Sequence, residues 1–121
     1  MSDLDAILEK WQPRLGLSHW QIAIWYARER DFVNGVSLAE VSHVATCLSA
    51  NIKILDPMDF DPARTRTEQD VEASVVHELV HLVFVEVEEW ISPEDKVRSQ
   101  FDLERAVKRL ERALIAADRE E

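Results

Sequence analysis

Cysteine is all but absent. Cys47 stands alone among 121 residues, which rules out an intramolecular disulfide and any cluster of thiolates around a metal. A metal site in this chain therefore has only histidine and carboxylate to draw on. No stretch approaches the ~20 consecutive apolar residues of a membrane span. The N-terminus, Met1-Ser2-Asp3-Leu4-Asp5, has neither the basic n-region nor the apolar h-region of a signal peptide. A cytoplasmic location is expected. Positive charge is also scarce: 14 Lys and Arg face 24 Asp and Glu, a formal net charge of −10, so nucleic acid and anionic membrane surfaces would be repelled. A cation is the better-matched partner, although an acidic surface also serves plain solubility. Internal repeats, low-complexity tracts and linkers are missing as well, and with 46% hydrophobic and 31% charged residues the chain is expected to fold as a single domain over 1–121.

The periodicities that are present predict an α+β fold. Ser2 and Asp5 form a helix start, and Leu4, Ile7, Leu8, Trp11 and Leu15 recur at helical spacing up to Gly16. From Trp20 to Tyr26 the residues Trp20, Ile22, Ile24 and Tyr26 alternate with Gln21, Ala23 and Trp25, the period of a strand. Asn34-Gly35 is a turn dipeptide. Val36–Ser42 and Thr46–Leu55 are two further strand-like runs, the second with Leu48, Ala50, Ile52 and Ile54 on one side. A small, mostly antiparallel sheet of about three strands is expected. Two prolines break the connection from Asp56-Pro57 to Asp61-Pro62. Thr67, with Asp70 three residues on, is expected to open a central helix whose run from Val71 to Val87 is apolar on nearly every side. Ser92-Pro93-Glu94-Asp95 then starts a last helix reaching about Ala117 and burying Leu103, Ala106, Val107, Leu110 and Leu114.

The chemistry sits on the central helix, in His77-Glu78-Leu79-Val80-His81. Two histidines at i and i+4 project from one face about a turn apart, so both imidazoles reach the same ion. Zinc accepts neutral imidazole nitrogen, and an open coordination position beside two histidines and a carboxylate leaves room for water. Glu78 is rotated by roughly 100° from His77, where it can take a proton from that water rather than compete as a ligand. HExxH alone matches many unrelated sequences. Context sharpens it here: His77, Glu78 and His81 are the polar residues of an otherwise apolar run from Val75 to Val85, and burying three ionisable groups is costly unless something satisfies them. The bland explanation is a pair of core histidines hydrogen-bonded in place, with Glu78 paired to one of them.

A third ligand must come from another element. Glu86, Glu88 and Glu89 lie too far along the same helix and are expected to be solvated. The metzincin pattern is excluded, because Phe84 and Val87 occupy the positions of its glycine and third histidine. On the last helix Asp102, Glu104 and Glu111 remain. Glu104, at the edge of the apolar stripe, is the preferred ligand; its plain alternative is a surface pair with Lys108 at i+4.

His77-Glu78-Leu79-Val80-His81 on one helix followed by Glu104 on the next resembles the gluzincin pattern of zinc metallopeptidases. More narrowly, the chain resembles the short, single-domain zincin-like proteins of bacterial and phage genomes, the minigluzincins. The likeness extends over the Leu17–Tyr26 lead-in with Trp20, the Ala39–Ile54 strand pair, Val75–Leu82 and Glu104–Leu110, although only the HExxH core is highly specific. The resemblance implies a minimal zincin-like fold, Zn²⁺ held by His77, His81 and Glu104, Glu78 as general base, and a peptide or protein substrate. One departure stands out: the larger gluzincins carry an aspartate four residues after the glutamate ligand, and here that position is Lys108. The usual support for the ligands is then missing from its usual place.

For an oxyanion stabiliser the polar groups on or near the sheet are His19, Tyr26 and His43, none favoured by position; His43 lies between two strand runs. Trp11, Trp20, Trp25 and Trp90 are expected to serve packing. By analogy with zincins, the Ala39–Val41 strand could hold an extended peptide along an open edge. Two alternatives to a peptidase follow from the small size and the acidity: a zinc-binding module without activity, and an acidic interaction protein with an accidental HExxH.

Overall fold

The computed structural model describes residues 3–32, 38–61, 69–85 and 93–120, the last of these by backbone alone over 93–102. Asn34, Gly35, Thr67, Glu86, Glu88, Glu89, Trp90 and Ser92 lie outside the described residues, as does the side chain of Asp102. The order is helix α1 (Asp3–Arg14), strands β1 (Gln21–Ala27), β2 (Ala39–Val44) and β3 (Ser49–Leu55), and helices α2 (Val71–Val83) and α3 (Pro93–Glu120). The fold is α+β. Among the described residues, no helix is long and apolar enough to cross a membrane.

Leu4, Leu8 and Trp11 follow the helical spacing of α1 and are buried, which turns that face onto the core. The helix stops at Gly16, whose φ of +71° lets the Gly16 N–H reach the Pro13 carbonyl and the Leu17 N–H reach the Gln12 carbonyl. This pair of bonds satisfies carbonyls at the helix end that have no partner within it. Gln12 then pins the following loop, its side-chain amide donating to the carbonyls of Leu17 and Trp20.

The sheet order is β1-β3-β2, with β3 central. β3 earns the middle by composition: Ala50, Ile52 and Ile54 are buried, while β1 alternates between exposed and half-buried residues. The sheet is mixed rather than mostly antiparallel. β2 runs antiparallel to β3, but β1 runs parallel to it, pairing Ile22 with Ala50 and Ile24 with Ile52. The difference arises because the chain passes across to the far side of β3 before the β2–β3 hairpin, and side-chain alternation carries no information about strand direction. Thr46 is not in a strand either: Ala45–Cys47 form a single 3₁₀ turn closed by Leu48 in the left-handed region, so β3 begins at Ser49. His43, expected between strands, lies within β2 opposite Ala50.

α2 lies in the interior, packed against α1, β2, β3 and α3. Its N-cap is Asp70: the Asp70 carboxylate accepts the Ala73 N–H at 3.1 Å and is bound from outside by Arg119. Val75, Val76, Leu79, Val80 and Leu82 fill the core with Ile52, Ile54 and Val107. Among the described side chains of α3 the buried positions are Val107, Glu111 and Ile115, with Leu103 and Leu114 partly buried against the core as expected, whereas Leu110, expected inside, is 41% exposed. The inward face of α3 stays mainly apolar, and one acid, Glu111, is buried where Leu110 was expected.

Candidate metal centre

On α2 two faces of different chemistry follow from the 3.6-residue period. Val75, Val76, Leu79 and Leu82 face the core, while Ser74, His77, Glu78 and His81 form the stripe that turns toward α3. His77 and His81 are half-buried and their rings meet edge to face, with centroids 5.0 Å apart. Glu104 comes down from α3 onto both. Its Oε1 lies 2.8 Å from His77 Nε2 and its Oε2 lies 3.1 Å from His81 Nε2. Each of the three residues offers a ligand atom within 4.8 Å of the others. Tetrahedral bonds of about 2.0–2.1 Å separate ligand atoms by about 3.3 Å, which is within the 4.8 Å over which these atoms are gathered. Two imidazoles and a carboxylate are also a donor set that zinc accepts.

Glu78, adjacent to His77 in sequence, lies beside this group and is not one of its three members. It is 7% exposed and opens on a pocket of about 300 Å³ whose lining includes Ala39 of β2, His77, Lys108 and Glu111. Burial, reinforced by the negative charges of Glu104 and Glu40, pushes its carboxyl up to about 8. A carboxyl poised near neutrality beside two histidines is suited to taking and returning a proton.

The residues named from the sequence therefore divide. His77, His81 and Glu104 come together, with Glu78 in the adjoining pocket. Glu111, an alternative third ligand, instead reaches the other nitrogen of His77, with its Oε1 3.3 Å from Nδ1. His19 and His43 flank the buried Trp20 at ring separations of 6.4 Å, and the Tyr26 hydroxyl donates to Asp3. None of these three is among the residues lining the pocket. Trp11 and Trp20 are core residues, and Trp25 is exposed.

The sequence offers Glu111 only as an alternative ligand and Lys108 only as a surface partner of Glu104, and does not show that the two pair with each other beside His77. Lys108 Nζ lies 2.9 Å from Glu111 Oε1, and both line the pocket. The i, i+3 spacing of an acid and a base was visible, but such pairs are ordinary on solvated helix faces. Compared with protein-family models, curated proteins and solved structures, the chain shows no significant match.

Proposed function

We propose that the protein is a zinc-dependent metallopeptidase with a minimal zincin-like fold, similar to the short gluzincins. The observation that carries this proposal is the meeting of His77, His81 and Glu104 from two helices, with the buried carboxyl of Glu78 opening on the adjoining pocket. His77 and His81 would hold the metal through Nε2 and Glu104 through its carboxylate. Zinc, when bound, supplies Lewis acidity toward a carbonyl oxygen and makes water a nucleophile at neutral pH. Glu78 accepts the proton that water gives up as it adds to the peptide carbonyl carbon. It then passes that proton to the departing amine nitrogen, so one water is consumed for each peptide bond cleaved. The substrate class is a peptide or protein held in the pocket between β2 and α3.

The test is elemental analysis of the purified protein followed by an unbiased peptide-cleavage screen. One equivalent of zinc, lost in His81→Ala and Glu104→Ala, with cleavage abolished in a zinc-loaded Glu78→Gln variant, is the expected result. Absence of bound metal, or undiminished cleavage by zinc-loaded Glu78→Gln, overturns the proposal.

A further inference from the structure

We infer that Glu111 is a positioning residue for His77, taking over from α3 the supporting role that Lys108 cannot fill. This inference rests on the metal centre proposed above. A histidine that binds a metal through Nε2 must carry its proton on Nδ1, and an acceptor there fixes both the tautomer and the ring orientation. His77 Nε2 is the nitrogen facing Glu104, so the acceptor has to stand on the Nδ1 side. Glu111 Oε1 stands there at 3.3 Å.

The environment of Glu111 argues against an incidental contact. Its side chain is 7% exposed, on a helix whose neighbouring Leu110 is left in solvent. A buried carboxylate is costly unless compensated. The compensation here is Lys108, 2.9 Å from the same Oε1 and itself half-exposed. Lys108 therefore cannot accept a hydrogen bond from the histidine, but it holds the residue that can. Glu104, Lys108 and Glu111 lie at successive turns along one side of α3, so metal ligand, cation and supporting carboxylate are set by a single helix.

The decisive experiment measures zinc affinity by competition with a chromophoric chelator for the wild-type chain, Glu111→Gln, Glu111→Leu and Lys108→Met. Melting of each metal-free protein serves as the control for folding. The tautomer of His77 is read by nitrogen-15 NMR of the zinc-loaded wild type and Glu111→Gln. Glu111→Leu should weaken zinc binding by about 10–100-fold with the metal-free fold retained. Glu111→Gln, which keeps an acceptor, should recover most of that loss and keep the proton on Nδ1, and Lys108→Met should fall between. The visible spectrum of the cobalt-substituted protein should keep its shape in Glu111→Gln, because the ligand set is unchanged. Affinity within twofold of wild type in Glu111→Leu overturns the inference while leaving the metal centre intact. So does a changed cobalt spectrum in Glu111→Gln, which would make Glu111 a ligand. A wild-type chain that binds no zinc overturns the metal centre and this inference together.

Discussion

Glu72 accepts the indole N–H of Trp11 at 2.7 Å, joining the N-terminal helix to the first turn of the helix that carries His77 and His81. The same carboxylate oxygen takes Lys10 at 2.9 Å, and Lys10 in turn reaches Asp118 at 2.8 Å near the end of α3. Three helices are thereby clamped at the end of α2 remote from Phe84. Trp11 is 2% exposed, so its N–H has no recourse to water when the acceptor is removed. Glu72→Leu should destabilise the protein by roughly 1–3 kcal/mol, and Glu72→Gln by less because an acceptor remains. Urea unfolding of the two variants checks this; equal losses would show that the charge on Glu72, and not the indole bond, matters.

The carboxyl of Glu78 makes the metal-free protein sensitive to pH. Burial first, then Glu104 and Glu40, raise it from 4.5 to about 8, so the folded chain holds this proton more tightly than the unfolded chain does. Below pH 4.5 the group is protonated in both states and costs nothing. As pH rises from there toward 8, the unfolded state ionises and the folded state resists, so stability falls across that window and levels off above it. Glu78→Gln should remove this slope and leave the metal-free protein more stable than wild type at pH 7. Thermal melts of chelator-treated protein between pH 5 and 8.5 give the comparison.

Asp59 acts in the opposite direction. Arg28 binds both of its oxygens, at 2.7 and 2.8 Å, and the Glu29 N–H adds a third bond. Together these lower the carboxyl from 3.8 to about 2. Its contribution to stability is in force above pH 3.8 and is lost as pH falls through 2. Asp59→Asn should lower the melting temperature at pH 6 and show less acid sensitivity than wild type between pH 4 and 2.

Gly16 is required by its backbone angle and not by crowding. A Cβ there would meet nothing within 4 Å, but φ is +71°. Gly16→Ala should cost about 1–2 kcal/mol through backbone strain alone. Chemical denaturation measures it, and Gly16→Asn, which tolerates the left-handed region better, should cost less.

Amino-acid order alone marked the main elements and the residues of the candidate site. Leu4, Leu8 and Trp11 mark one helix, Ala50, Ile52 and Ile54 the central strand, and His77 and His81 must share a face because 3.6 residues make a turn. Glu104 was legible as a candidate for the same reason, as an acid at the margin of an apolar stripe. Strand direction was not, because alternation is the same whichever way a strand runs, and only the crossover past β3 makes β1 parallel. The burial of Glu111 in preference to Leu110 was equally hidden. Leu110 and Glu111 are neighbours about 100° apart on the helix, and hydrophobicity favours burying the leucine. What reverses that preference is tertiary: the Nδ1 edge of His77 on α2, beside the Lys108 ammonium that α3 itself supplies at i−3, gives a buried carboxylate a partner that a leucine could not use.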